Sequence, residues 1–498
     1  MTYFFYVLGC EQMKLQLCFK SLSSFLFTIC ALVFFAPFVQ ADSAKTPLYS
    51  DYNTFLDMEN FLELVNAGTV TTDVTYVIYS LTGEEIASNV VRLSPGEQKD
   101  ISINEIVVDE DTYGVVKVSY NDSNTDKRVI GRVSVYRTEP SDSSKYSFAF
   151  AKELQRPLTD KTFAPANSFD AQGNGRTVLN WAQIINLDSK THTYIQKLYD
   201  LAGVLLETNT ITLRPFQRLD FAAGHQYGEN VYLSEFDPQD LTTEYLATIT
   251  RYGVGDTGDS RIFAAPVNAR TGISHDQFVP IFNESGNCFT ETNWVEIINV
   301  GTQTSSPLIR FYDSSGNLLD VTSATLNPGQ QYHYNASAIL EAGSRRTFGS
   351  TQISGDQTVN ILVQSAVYVH SCNDNLLNTS FQVEGSEPKD LPITGSYNRF
   401  LSMANDLYTY STVGSSQSAA LSLATSGNTI FTGSNNISSH GALKQSLNDS
   451  TFGTTANTYG IVALDSNRPE GVLGVNLRIK RYTFNSSVID YIVPIPVR

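Results

Sequence analysis

The sequence predicts an all-β protein: four tandem immunoglobulin-like β-sandwich domains behind an N-terminal signal peptide. Three observations carry this reading. A phrase of aromatic and turn residues recurs along the 498-residue chain. The runs between turns are rich in β-branched and aromatic residues and show little helical periodicity. Turn signals return about every 8 to 12 residues, the rhythm of a sandwich of about seven short strands.

The phrase is clearest from Asn293 to Gly329. It opens on Asn293-Trp294-Val295-Glu296, continues through Phe311-Tyr312-Asp313-Ser314-Ser315-Gly316 and closes on Leu326-Asn327-Pro328-Gly329. Asn180-Trp181, Tyr199-Asp200-Leu201-Ala202-Gly203 and Leu213-Arg214-Pro215 repeat it, as do Asn60-Phe61, Tyr79 to Gly83 and Leu93-Ser94-Pro95-Gly96. In these three copies the aromatic leads the Tyr by 18 residues. The Gly permits positive φ in a hairpin loop, and the Pro presets the turn.

A degenerate fourth copy is read with Phe400 to Asn405 laid over Phe61 to Asn66 and with Gly427 at the hairpin, which requires five extra residues between them. Ser439-His440-Gly441 replaces its Pro-Gly. In the second half of each unit Tyr113, Tyr245, Phe348 and Tyr459 are expected to open one strand. Val129 to Arg137, Arg261 to Val267, Val359 to Val369 and Val472 to Arg481 are expected to form the next. The resulting divisions are a signal peptide over 1–41 and units over 42–157, 158–285, 286–390 and 391–498.

Alternation assigns faces, because successive strand side chains point to opposite sides. Leu62 and Leu64, Ala182 and Ile184, Val295 and Ile297, and Leu401 and Met403 are expected to face the core. The other face, with Glu63, Gln183, Glu296 and Ser402, is expected to be the less buried one. The segments around Asn53, Asn167 and Asn283 echo each other and read as short linkers, which suggests a semi-rigid string of domains.

Met13-Lys14 to Lys20 is a basic start, Phe25 to Phe38 a mostly apolar run, and Val39-Gln40-Ala41 a cleavage signal. The run is shorter than the roughly 20 residues of a spanning helix. Cleavage would remove Lys14, Lys20 and Glu11 and take the formal charge from −17 to −18. Such acidity argues against nucleic acid and anionic membranes as partners. It would also leave Cys288 and Cys372 as the remaining cysteines, and an even pair in an exported chain reads as a structural disulfide.

No nucleophile elbow, phosphate loop or metal-ligand spacing is present, and the six histidines share no repeat position. No enzyme, cofactor or metal is expected. Asp122 to Asp126, Asp256, Asp259, Asp356 and Asp465 lie where hairpin loops need turn residues, and a turn role is expected over calcium binding. Trp181 and Trp294 are the candidate ligand aromatics, with packing at a domain junction as the other reading.

The repeated phrase resembles the tandem Ig-like β-sandwich repeats of exported bacterial surface proteins over Asn53 to Arg498. The resemblance implies adhesion, envelope architecture or display, at the cell surface, outside the cell or in the periplasm. The partner would be an envelope or cell-surface polymer or protein. Carbohydrate binding through sandwich faces or loops is the alternative.

Overall fold

The computed structural model describes residues 47–109, 111–121, 128–139, 142–169, 177–240, 242–255, 261–286, 289–342, 347–355, 358–371, 376–387, 393–468, 471–480 and 489–497. The expected signal peptide, both cysteines, and Asp122 to Asp126, Asp256, Asp259 and Asp356 lie outside the described residues. The regular structure of the described chain is nearly all strand, with one short α-helix, Ala336–Ala342. It forms four β-sandwiches, as the repeats predict.

Among the described residues each unit has eight main strands, not seven. Those of unit one are Leu48–Asn53, Met58–Asn66, Thr72–Ser80, Glu85–Leu93, Gln98–Ser102, Tyr113–Tyr120, Val129–Glu139 and Asp142–Glu153. Unit two has Thr162–Asn167, Val178–Asn186, His192–Asp200, Leu205–Leu213, Arg218–Ala222, Val231–Pro238, Tyr245–Val254 and Arg261–Asn268. Unit three has Gln277–Phe282, Phe289–Asn299, Leu308–Asp313, Leu318–Ser323, Gln331–Asn335, Phe348–Ser354, Ile361–Ser371 and Leu377–Glu384. Unit four has Ile393–Asn398, Ala404–Ser411, Gln417–Thr425, Asn428–Ile437, Ala442–Ser446, Tyr459–Ser466, Val472–Lys480 and Tyr491–Val497. In every unit strands 1-6-3-4 form one antiparallel sheet and strands 5-2-7-8 the other. The two-residue strand Ser285–Gly286 adds to strand 2 of unit three.

The eighth strand is visible once pairing fixes the register. The segments read as linkers are the ends of strand 1: Asn53, for example, pairs with Tyr113 on strand 6. Unit three therefore starts at Gln277, ahead of the division drawn at 285 and 286. In unit two, Val231 opens strand 6 and Tyr245 opens strand 7, one strand later than the sequence reading. In unit four, Asn405 takes the place of Asn60: its amide bonds the end of strand 1, as Asn60 does. Phe400 thus matches Phe55, not Phe61, and the five-residue insertion disappears. Both Phe residues begin 3-10 turns in which the next residue, Leu56 or Leu401, is left-handed.

The expected core faces are buried at Leu62, Leu64, Ala182, Ile184, Val295 and Ile297. Leu401 is an exception that follows from the corrected register, since Leu407 fills its core place. The supposedly less buried face is also buried: Glu63, Gln183 and Glu296 are at most 2% exposed. What covers this face is the neighbouring unit.

The four units are not a string. They close in a cycle within one compact body spanning 44–498. The eighth strands contact one another in the order one-two-three-four-one. They enclose an apolar space of only about 50 Å³ that includes Phe150, Ala264, Phe381 and Ile492. Mutual cover of this kind shields strand edges that would otherwise invite pairing.

The recurring phrase is the joint between units. The glycine of each strand 3–4 hairpin rests on the strand 4–5 turn of the next unit. Gly83 meets Pro215, Gly203 meets Pro328, Gly316 meets Ser439, and Gly427 returns to Pro95. Backbone bonds follow the same cycle: Arg218 N donates to Leu81 O, Gln331 N to Leu201 O, Ala442 N to Ser314 O, and Gly427 N to Gly96 O. Where the left-handed position of the turn is not glycine, an aromatic ring takes it and stacks across the joint. Phe216 lies 4.3 Å from Tyr79 and His440 lies 4.5 Å from Tyr312, both nearly parallel.

Candidate functional site: the clefts between units

Each junction is built from the same register. Three residues beyond the buried Asn of strand 2 stand Glu63, Gln183, Glu296 and Tyr408. Their cross-strand partners on strand 5 are Asp100, Asp220, His333 and Lys444. The backbone frame repeats at every junction, but the charges do not.

At the junction of units one and two, Arg218 is fully buried. Its guanidinium grips both carboxylate oxygens of Asp220, at 2.7 and 2.8 Å. It also donates to Tyr52 O and lies 2.8 Å from Asp51 across the junction. Its Cζ sits 4.5 Å from the centroid of the Tyr113 ring, a cation–π contact. Lys152 Nζ donates to Asp51 at 2.6 Å. Burial alone would raise the Asp51 pKa, but Lys152 and Arg218 hold it below the usual carboxylate range. Two carboxylates meet two cations here.

At the junction of units four and one, Glu63 accepts two parallel bonds from Arg478 of unit four, at 2.9 and 3.0 Å. Ser134 donates to it at 2.6 Å and Arg132 at 3.4 Å. Arg132 and Arg478 also reach Ser396 of unit four. Burial opposes ionisation of Glu63, yet the two guanidiniums bring its pKa to about 2. Asp100 behaves oppositely. Burial and the adjacent Glu63 push it up to about 7, and its side-chain donor is the Gln98 amide at 2.9 Å. Above it opens a cleft of about 440 Å³ lined by Phe61, Tyr136 and Tyr146 of unit one and Phe400 and Tyr459 of unit four.

At the junction of units two and three, a cleft of about 460 Å³ is lined by Trp294, Phe169, Tyr332 and Tyr368 with Asn167 and Gln331. Gln331 is buried, and its Nε2 has no hydrogen-bond partner among the described residues. Burial lowers the pKa of His333 in the same wall. At the junction of units three and four, Lys444 fills the position, 2.5 Å from Glu284, 3.2 Å from Asp406 and over the Tyr408 ring.

Trp294 therefore stands in a junction cleft, packed beside Val178, Phe263 and Tyr368. Trp181 is 38% exposed beside the His225 ring, away from that cleft. Phe289 and Ser371, the described neighbours of Cys288 and Cys372, are cross-strand partners. Asp465 is exposed. No group of three or more potential metal-ligating side chains occurs among the described residues. No described helix is long and apolar enough to cross a membrane.

Sequence reasoning missed Arg218, Arg478 and Asp100. The available signal for Asp100 was a titratable residue recurring at one register of strand 5, but copy four was out of register and the pattern was hidden. No protein-family model matches the chain, and no curated protein matches it.

Proposed function

We propose that the protein is a non-enzymatic exported protein acting in adhesion or cell-surface structure as one preassembled body. The observation that supports this is cyclic closure through buried joints, which leaves strand 4 of each unit as a largely exposed rim element. Four rims held at fixed spacing suit a repetitive partner, such as an envelope polymer or the surface of another cell, because simultaneous engagement multiplies weak contacts. With formal charge −17, electrostatic attraction to the body favours cationic partners and weakens with salt. The test is saturable binding of the purified secreted chain to whole cells or isolated envelopes, compared with a chain carrying Arg478→Ala. Binding that is lost when the cycle opens supports the reading; turnover of a substrate would sink it.

A second reading, carbohydrate binding, is favoured by the cleft around Trp294. Flat aromatic surfaces stack on sugar rings, and an unpaired buried amide offers a donor to a hydroxyl. A glycan array probed with the native chain and with Trp294→Ala separates the two readings. A single soluble sugar bound tightly by the native chain and lost in the variant favours the lectin.

A further inference from the structure

The junctions are four solutions to one problem, and comparing them exposes a gap. Asp220 and Asp100 occupy the same register of strand 5. Two residues before Asp220 stands Arg218; two residues before Asp100 stands Gln98. Tyr113 and Tyr459 likewise match, each opening strand 6 opposite the Asn that ends strand 1. Their neighbouring rings match too: Phe55 lies 6.0 Å from Tyr113 at 33°, and Phe400 lies 5.5 Å from Tyr459 at 35°. The aromatic and carboxylate parts of the site are thus present twice, and the strand 5 cation once.

The charges agree. At the junction of units four and one, Glu63, Glu153 and Asp100 face Arg132 and Arg478. Both guanidiniums are engaged, Arg478 with Glu63, and Arg132 with Glu63 and Glu153. Asp100 has no cationic partner within ion-pair distance among the described residues. Asp100 is thus the carboxylate of this junction left without an ion pair among the described residues, and an open cleft stands over it.

We propose that this cleft binds an organic cation, a guanidinium or alkylammonium group, which takes the place that Arg218 holds at the neighbouring junction. The cation lies against Asp100, with the rings of Tyr459 and Phe400 on one side and Phe61 and Tyr136 on the other. Aromatic walls attract such groups through their negative faces, most strongly where water is excluded. An anion would meet Asp100, Glu63 and the exposed Glu105, which disfavours it. The groups bearing on Asp100 are Glu63 on strand 2, Arg132 and Tyr136 on strand 7, Arg478 and Tyr459 of unit four, and Gln98 on its own strand. Its ionisation near neutral pH makes binding tighten as pH rises.

The experiment is calorimetric titration of the full chain with agmatine and with choline, using methyl glucoside as the uncharged control. Saturable binding of either cation is expected at pH 8, weaker by about tenfold or more at pH 5.5, where Asp100 is protonated. Asp100→Asn should remove that pH dependence and most of the affinity. Gln98→Arg, which recreates the neighbouring junction, should block the cleft. Phe400→Ala, at a partly exposed ring, should weaken binding without disturbing the buried joint, and covers the case in which Gln98→Arg fails to fold. Trp294→Ala should leave cation binding unchanged, which keeps this result distinct from that for the lectin reading. No cation binding at pH 8, equal binding of the glucoside, or affinity unaffected by both Asp100→Asn and Phe400→Ala overturns the proposal.

Discussion

The junction of units one and two and the junction of units four and one share a backbone plan, yet they reach burial by different routes. In the first, consecutive units bring two acids and two bases together, and Arg218 fills the space between the rings. In the second, Glu63 and Arg478 meet across 415 positions of sequence, one acid is left over, and a cleft stays open. Repetition of a frame therefore does not repeat a site. On strand 5, Arg218 fills the first joint, and Gln98 stands at the matching position of the second.

The largest expected effect tests whether the long-range junction holds the cycle shut. Arg478→Ala leaves Glu63 buried with its bidentate partner removed, and should cost about 3–5 kcal/mol, the usual cost of breaking one side of a buried pair. Denaturant melts measure the loss, and small-angle scattering should show the body expanding. A change of under about 1 kcal/mol, as for an exposed pair, would mean that the other joints suffice.

The hairpin contacts sharpen the comparison. A Cβ at Gly83 would lie 2.0 Å from Pro215 O, whereas one at Gly427 would lie 3.0 Å from Pro95 O, and both glycines have positive φ. Each substitution to alanine incurs about 1–2 kcal/mol for the left-handed backbone. Gly83→Ala should cost at least about 1 kcal/mol more, because a backbone carbonyl must also move. Equal melting shifts for the two variants would contradict the tighter joint.

The two aspartates should respond with opposite signs. The folded pKa of Asp100, about 7, lies above the ordinary carboxylate value, so its charge opposes folding. That cost is absent below about pH 4 and grows to its full size as pH rises through 7. Asp100→Asn should therefore stabilise by on the order of 1–2 kcal/mol at pH 8 and by nearly nothing at pH 4. Asp220→Asn, which takes a bidentate acceptor from buried Arg218, should destabilise by about 1–3 kcal/mol at pH 8. Melts of both variants at the two pH values check the signs. The smallest effect is expected away from the junction charges: Lys197→Ala loses a partly exposed bond to Glu235 and should cost under about 1 kcal/mol in the same melts.

Strands and core faces were legible because side-chain alternation is local: Val295 and Ile297 sit inward in any register that buries one face. The fourth copy misled because Phe400-Leu401 and Phe61-Leu62 look alike, although the first pair forms a left-handed 3-10 turn and the second lies in a strand. The repeated Gly and Pro read as turn residues, and they are, while the repeated Tyr lies in strand 3. Their second role as joints between units was invisible, since Gly83 gives no sign that Pro215 will lie against it. Glu63 was placed on the less buried face because charge in a strand ordinarily marks solvent. The approach of unit four, with Arg478 and Ser396, removes that solvent.

By itself, then, the sequence determined the all-β class, the fourfold repetition and the apolar face of each sandwich, all of which follow from the period-two geometry of a strand and from the conformational needs of Gly and Pro. Tertiary structure decided the rest: the closure of the cycle, the burial of Glu63 and Arg218, and the open cleft over Asp100. Those depend on which surfaces meet across hundreds of residues, and on whether each charge finds a partner once water is gone.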